Sequence, residues 1–203
     1  MNALALVFSS GWASGLNCYL VVLVLGVADR VHDTQQVPDV LHRWDVLAVA
    51  AFFYAMEFVA DKIPLVDSAW DAVSTAIRPT AGAVVGVLLA GQADSLNGAV
   101  AAAVGGGTAL LSHSVKAGTR LAINSSPEPL SNIAASVSED LAVLGVILFA
   151  IHHPRAAAGV AGVLLAGGLV LLYLLATVVR RGWRRWKGRG PRGPARAVAT
   201  PPA

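Results

Sequence analysis

A long uncharged apolar run toward the C-terminal end of the chain restricts the possible folds more than any other feature. Ala156 to Val179 is a stretch of 24 residues without a charged side chain. At about 1.5 Å of rise per residue, a helix of this length spans a hydrocarbon core of about 30 Å. The run therefore predicts a transmembrane helix.

Two more runs are long enough to cross a bilayer. Ala3 to Ala28 is uncharged over 26 residues, and Leu96 to Val115 over 20 residues. No charged side chain precedes Asp29, so the first segment lacks the basic region of a cleaved signal peptide and is predicted to be a retained helix. Only 13% of all residues are charged, against about a quarter in soluble domains. A water-soluble fold would expose too much apolar surface.

Three weaker apolar segments lie between the strong runs. They are Val46 to Met56, Thr80 to Ala90 and Leu141 to Ile151. Each is shorter than the lower limit of about 17 residues for a simple span, so it crosses only if flanking polar residues enter the membrane. Together the six runs predict an all-α, polytopic membrane protein with about six membrane-embedded segments.

The basic residues are concentrated after the last apolar run. Eight of the fifteen Lys and Arg residues lie there: Arg180, Arg181, Arg184, Arg185, Lys187, Arg189, Arg192 and Arg196. Such residues resist translocation and are attracted by anionic headgroups, so this end is predicted to be cytoplasmic and to bind lipid. Trp183 and Trp186 suit a membrane interface as well, and no nucleic-acid partner is expected.

These patterns divide the chain into two regions. Residues 1–180 are predicted to form a helical membrane domain, and residues 181–203 a basic, Pro- and Gly-rich tail that is disordered. An even number of crossings would place both termini in the cytoplasm, with the chain in the plasma membrane.

Two polar connections on the predicted cytoplasmic side have a common pattern. One runs from Glu57 through Pro64 to Pro79, and the other from Lys116 through Pro127 to Asp140. Each has a charged helix end, a proline break, a short amphipathic stretch and a charged or proline-marked restart. The pattern predicts two copies of one proline-broken unit that could re-enter the membrane.

The first unit is mainly acidic. Glu57 and Asp61 share a helix face at a spacing of four, where like charges repel unless a cation or base lies between them. Either this helix ends at the surface with Asp61 and Lys62 in water, or it folds back and presents its polar groups to a cavity. The candidate site residues of this unit are Glu57, Asp61, Lys62, Asp67, Ser68, Asp71 and Arg78.

The second unit begins with positive charge. Lys116 and Arg120 share a face, so they could neutralise the carboxylates of the first unit or contact a substrate. Ser138 before Glu139 is typical of a helix N-terminus. The candidate site residues of this unit are Lys116, Arg120, Asn124, Ser131, Asn132, Glu139 and Asp140.

Small residues and one amide interrupt the first apolar run. Gly11 and Gly15 allow another helix to approach closely, and an Asn in the middle of a membrane needs an internal partner. Asn17 is therefore a further candidate site residue. The three glycines 105–107 predict close packing or a bend in the fourth segment.

Catalytic and cofactor signatures are not found in the sequence. The five histidines lack the spacing of a zinc site, and no metal ligands are assigned. No phosphate-binding glycine motif, nucleophile elbow or paired zinc motif occurs, so no cofactor is predicted. Because no nucleophile and base are paired, the chain is not expected to be an enzyme.

The two broken units resemble a membrane family catalogued as domain of unknown function 4126. The likeness covers about residues 10–155. It is carried by Gly15-Leu16-Asn17, Asp61-Lys62-Ile63-Pro64, Asp67-Ser68, Arg78-Pro79, Lys116, Arg120, Asn124 to Pro129 and Ser131-Asn132. The resemblance implies a membrane fold and draws attention to the same residues, but it implies no activity.

Together these features predict a small transporter or channel-like protein for an ion or small polar solute. The alternative is a non-transporting scaffold or lipid-interacting protein, in which the charges lie at the interface and the tail binds anionic lipid. Six short helices enclose little interior, so a homo-oligomer is expected.

Overall fold

A computed structural model describes residues 2–32, 36–63, 65–92, 96–124 and 129–187. Over these residues the chain forms six α-helices and one short 3-10 helix at Asp39–His42. The α-helices are α1 (Asn2–His32), α2 (Trp44–Ala60), α3 (Val66–Gly91), α4 (Gly98–Ile123), α5 (Pro129–His152) and α6 (Pro154–Lys187). The prediction of an all-α, polytopic membrane protein is confirmed.

Five of the helices are long and apolar enough to cross a membrane, namely α1, α3, α4, α5 and α6. Helix α2 has 17 residues, or about 25 Å, which is close to the lower limit for a span. It begins near Gly26, against which Leu47 packs, and ends at Ala60, whose neighbour Asp61 contacts Lys116. The six segments predicted to be membrane-embedded therefore correspond to the six helices.

Helix α1 is broken in the middle of its apolar run. Asn17 has φ −155° and ψ 95°, which is not helical. Its side-chain Oδ1 accepts a hydrogen bond from the backbone N–H of Leu20 at 3.0 Å. Asn17 therefore caps the second half of α1, in the manner of an N-cap residue.

The two halves of α1 lie against different neighbours and return to the same end of the bundle. The first half runs parallel to α4, with Gly11 against Gly105 and Gly15 against Ala109. The second half runs along α5, where Val27 and Leu148 line one crevice. Asn2 and Gln36 line another crevice together. A straight helix of 31 residues would separate them by about 46 Å, so α1 is a re-entrant hairpin.

This hairpin places the start of α1 and the end of α6 at opposite ends of the bundle, whereas the sequence pattern predicted both ends of the chain on one side of the membrane. Asn2 lies beside His152 and Arg155, and this end of the bundle is called the N-terminal end. Helix α6 starts there and runs parallel to α4, since Val115 meets Gly168 and Leu172 meets Gly118. It finishes at the opposite end, called the tail end. The apolar run of α1 is long enough for a crossing, but its break turns it back.

Other predicted breaks are not breaks. Helix α3 continues through Pro79, and Ser138 lies inside α5, where its Oγ donates to Ala135 O. The predicted short helices after Pro64 and Pro127 are therefore the first turns of α3 and α5; these two prolines themselves lie outside the described residues. Helix α6 extends to Lys187, so residues 181–187 of the predicted tail are helical. Residues 188–203 lie outside the described part.

The distribution of polar and apolar side chains is inverted relative to a soluble protein. Arg78 and Arg120 are among the largest fully buried side chains, while Val163 and Val179 on α6 are mostly exposed. Backbone contacts between Gly11, Gly82 and Gly105 bring α1, α3 and α4 close together, as small residues do in membrane bundles. The polar interior and apolar surface fit a bilayer.

Candidate functional site

Ionisable side chains from four helices meet in the interior between the break in α1 and the tail end. Spacings of three, four and seven residues place them on the inward faces of their helices. We call this set the buried charge network: Glu57 and Asp61 from α2, Asp67, Asp71 and Arg78 from α3, Lys116 and Arg120 from α4, and Glu139 from α5. Only Glu139 has a side chain more than 5% exposed, at 17%. The alternative in which Asp61 is solvated at the surface is therefore wrong.

Three close ion pairs form the centre of the network, and each joins two helices. Arg78 Nη2 lies 2.7 Å from Glu57 Oε1. Lys116 Nζ lies 2.7 Å from Asp61 Oδ2, and Arg120 Nη2 lies 2.7 Å from Glu139 Oε2. Longer contacts link the pairs, such as 3.3 Å from Lys116 to Glu57 and 3.5 Å from Arg120 to Asp61. The predicted neutralisation between the two units is observed.

The network carries more carboxylates than cations. Five carboxylates face three cationic side chains, which leaves two negative charges in excess. Lys62 and Asp140 lie at its edge and add one charge of each sign. Once the three close pairs are formed, the two carboxylates left over are Asp67 and Asp71. Burying an unpaired charge is expensive, so these two side chains require neutralisation or compensating hydrogen bonds.

Asp67 is surrounded by hydrogen-bond donors. Asn124 Nδ2 donates to both of its carboxylate oxygens, at 2.9 and 3.0 Å, and the backbone N–H of Ser68 donates at 2.6 Å. Asn132 Nδ2 in turn donates to Asn124 Oδ1 at 2.9 Å. Asp67 also lies in the first turn of α3, where the helix dipole favours negative charge. This environment stabilises an ionised carboxylate near the tail end.

Asp71 has a different environment although it is equally buried. Its side chain is 3% exposed, and neither carboxylate oxygen accepts a hydrogen bond from any described residue. Arg78 Nη1 lies 3.1 Å from Oδ1, but without hydrogen-bond geometry. Asp71 thus lacks the donors that Asp67 has, one helical turn away.

The break in α1 forms the inner end of the network. Helical carbonyl groups next to a break lose their usual partners. Here Arg78 Nη1 donates to Gly15 O at 3.3 Å, and Lys116 Nζ donates to Leu16 O at 3.0 Å. Asn17 Nδ2 donates to Asp140 Oδ1 at 3.1 Å. Irregular backbone at membrane depth is tolerated where protein satisfies it, as these contacts do.

Sequence reasoning did not include His113 among the candidate site residues. Arg78 Nη1 lies 2.8 Å from His113 Nδ1, and arginine can only donate, so Nδ1 accepts and Nε2 carries the hydrogen. Nε2 lies 3.0 Å from Thr75 Oγ1. The signal was present in the sequence, since His113, Lys116 and Arg120 follow one another at helical spacing.

The remaining candidates lie at the edge of the site. Lys62 is half-buried, donates to Phe58 O at 2.8 Å and lies over the Phe58 ring. Ser68 Oγ lies 2.9 Å from Asn124 Nδ2. Ser131 is half-buried near the start of α5. The structure thus gathers nearly all the predicted residues in one place, whereas their role in binding a solute stays a prediction.

The described residues contain no group of three His, Cys, Asp or Glu side chains that could hold a metal ion. The network carboxylates alternate instead with guanidinium and ammonium groups, which repel a metal cation. His42, the last residue of the 3-10 helix, contacts Asp29 rather than another histidine.

A helical bundle with a polar interior, an apolar surface and a broken helix inside defines this chain as a polytopic membrane protein. Its sequence matches the model of the domain of unknown function DUF4126 over residues 4–174. The chain therefore belongs to that family, as its broken-unit motifs indicated. No curated protein and no solved structure matches it significantly.

Proposed function

We propose that this protein is a small transporter or channel-like protein for an ion or small polar solute, and that the buried charge network is its site. The observation that carries the proposal is the pair of carboxylates in excess of the buried cations, Asp67 and Asp71, beside a helix broken inside the bundle. Intramembrane carboxylates are costly and commonly mark ion or proton pathways. Broken helices form the binding sites of many transporters.

Protons are the ion that this site suits best. Each close carboxylate is paired with Arg or Lys at 2.7 Å, so a dehydrated metal ion would meet positive charge on every side. A proton needs only one acceptor oxygen, and it neutralises the excess charge without displacing these cations. We therefore favour proton-coupled movement of a polar solute over a metal-ion pathway.

The position of the network supports access from the tail end. Asn124 and Ser68 lie near that end, and the contacts continue through Asp67 and Arg120 to Lys116. From the other direction the α1 hairpin covers the network, with apolar residues such as Val7, Val21 and Leu25 fully buried. Opening the hairpin would complete the path through the bundle.

Flux through reconstituted vesicles tests the proposal. Full-length protein in proteoliposomes is given a proton gradient, and internal pH is followed with a dye, with and without Na⁺ or K⁺. Wild-type vesicles should dissipate the gradient faster than protein-free ones. Asp61→Asn should lower the rate at least about tenfold, because it removes a carboxylate that holds Lys116 in place.

Asp45→Asn is the matched control, since this exposed carboxylate pairs with Arg43 outside the network. It should retain the wild-type rate. Equal rates in wild-type and protein-free vesicles, or an unaffected Asp61→Asn protein, would contradict the proposal. The first result would favour the alternative of a scaffold or lipid-interacting protein.

Two partners belong to the proposal. Only 6% of the most apolar 18-residue stretch of α6 is buried, so we propose that a second copy of the chain covers part of this helix in a homo-oligomer. The basic residues Arg180, Arg181 and Arg184 follow at the tail end. We propose that they contact anionic headgroups.

A further inference from the structure

We infer that Asp71 is the residue that binds and releases the proton, and that Arg78 transmits its charge state to the break in α1. The inference rests on the proposed function in one respect only, the use of the network for transport. It adds which carboxylate titrates and which part of the fold responds.

The hydrogen count at Arg78 carries the argument. An arginine Nη atom has two hydrogens to donate. Nη1 uses them on His113 Nδ1 at 2.8 Å and Gly15 O at 3.3 Å. Asp71 Oδ1, at 3.1 Å, is a third acceptor at the same nitrogen and receives neither hydrogen. The other terminal nitrogen, Nη2, donates to Glu57 at 2.7 Å.

This arrangement suits Asp71 as a neutral carboxylic acid. A buried carboxylate with no donor would bear the full desolvation cost, whereas the protonated form carries no charge. Asp67 provides the internal comparison. It is as deeply buried on the same helix face, yet the Ser68 backbone N–H and the Asn124 side-chain amide donate to it. The excess charge at Asp67 is therefore stabilised in place, and that at Asp71 is not.

The charged surroundings of Asp71 come from every helix packed around it. Arg78 on α3 and Lys116 on α4 favour its ionised form, while Asp61 on α2 and Glu139 on α5 oppose it. Glu57 shares Arg78 with Asp71, and His113 is uncharged in the observed hydrogen-bond pattern. Attraction and repulsion are both present, so the proton at Asp71 can be bound and released.

Loss of that proton changes the competition at Nη1. The carboxylic acid becomes a carboxylate and one proton leaves to water. The carboxylate is then a stronger acceptor than a backbone carbonyl, because charge-assisted hydrogen bonds are the stronger ones. Gly15 O holds the longest of the Nη1 contacts and is the acceptor that is lost. The carbonyl beside the break in α1 is released, and the tip of the hairpin loosens.

The chain contains its own reporter for this movement. Cys18 is the single cysteine, follows the break directly and is 2% exposed. It also lines a crevice of about 380 Å³ between α1, α2 and α3. Loosening of the hairpin tip should expose its thiol to a membrane-permeant maleimide.

The experiment compares maleimide labelling of Cys18 in full-length wild-type protein and in Asp71→Asn, in mildly acidic and mildly alkaline buffer. Asn cannot lose a proton, so the variant should stay closed. The ratio of wild-type to variant rate should be near one in acid and rise about tenfold in alkali, the change expected for one lost charge-assisted hydrogen bond. Ionisation of the thiol itself affects both proteins and cancels in the ratio. Asp39→Asn, at an exposed position that does not line the crevice of Cys18, should behave as wild type.

A second measurement needs no variant. Hydrogen–deuterium exchange of residues 12–22 in wild-type protein, corrected for intrinsic exchange, should show less protection in alkali. A constant ratio, or protection that does not change with pH, would overturn the inference. Neither measurement requires a transported solute. If the vesicles show proton flux but the ratio of labelling rates stays constant with pH, only the role of Asp71 is rejected. If the ratio rises in alkali but no flux is measured, only the transport function is rejected.

Discussion

The buried charged side chains of this protein each need an oppositely charged partner, because no water can solvate them. Arg78, Lys116 and Arg120 each have one carboxylate at 2.7 Å on another helix. In lipid surroundings a charged group that loses its partner cannot be hydrated, so these pairs hold helices together and specify which faces meet. Asn17 stabilises the broken backbone, because its side-chain amide caps the second half of α1 and donates a hydrogen bond to Asp140.

Lys116→Met tests this at the residue scale. The substitution removes the closest cation of Asp61 and leaves Glu57 with Arg78 alone, and it should lower the free energy of unfolding by about 3–5 kcal/mol. Titration of the purified protein with denaturing detergent measures the change. Adding Asp61→Asn to Lys116→Met should restore part of the loss, because one of the unpaired charges is removed as well.

Arg43→Met is the control for that series. Arg43 pairs with Asp45 at 2.7 Å, but both side chains are more than 60% exposed. Exposed ion pairs contribute little, so this variant should unfold as wild type does. A Lys116→Met protein as stable as Arg43→Met would mean that the network does not stabilise the fold.

At the scale of helices, the close approach of α1, α3 and α4 places the network. Gly11 and Gly15 of α1 lie against Gly105, Thr108 and Ser112 of α4. Ser112 Oγ donates to Trp12 O at 2.7 Å, which ties the two backbones together. Only side chains without bulk allow the carbonyls of the broken helix to come within reach of Lys116 and Arg78.

Gly15→Ala should disrupt that approach. An added Cβ would lie 2.8 Å from His113 N and closer still to Ser112 Oγ and Ala109 O. Ala109 O and His113 N are backbone atoms and cannot move aside easily. Overpacking of this kind costs about 1–3 kcal/mol, and detergent unfolding would measure it.

Gly107→Ala gives the matched comparison, because no atom lies within 4 Å of its added Cβ. The alanine should leave stability unchanged or slightly improved, given its better helix propensity. If the two alanine variants were equally stable, α1 and α4 could not be packed as closely as described.

At the scale of the whole molecule, the re-entrant α1 hairpin determines sidedness. Helices α2 to α6 run between the two ends of the bundle, whereas α1 begins and finishes at one of them. Asn2 and Lys187 are therefore at opposite ends. We expect the basic residues of α6 to be retained in the cytoplasm, which predicts that the start of α1 faces outward.

Epitope tags test this arrangement. A tag fused before Met1 should be detected by antibody on intact cells, and a tag fused after Ala203 only after permeabilisation. The membrane-embedded length of each helix stays as in wild type, so the tags report sidedness alone. Detection of both tags under the same condition would show that α1 crosses the membrane.

The family match and the interatomic contacts show what the sequence alone could predict. Uncharged runs identified the membrane class, because no soluble fold can bury so much apolar surface. Helical spacing of Glu57 with Asp61 and of Lys116 with Arg120 identified the faces that carry the site, since residues four apart on a helix point the same way. Run length and helical spacing are local properties, and they do not depend on what the helices pack against.

Tertiary structure decided everything that depends on which faces meet. A run such as Ala3 to Ala28 has the same length whether it crosses or folds back, and only the partners of Asn17, Gly15 O and Leu16 O select the fold-back. The proline at position 79 looked like a break, yet α3 continues through it. The difference between Asp67 and Asp71 likewise arises from Asn124, a residue far away in the chain. Hydrophobic length is encoded locally, but the satisfaction of buried polar groups is a property of the assembled bundle.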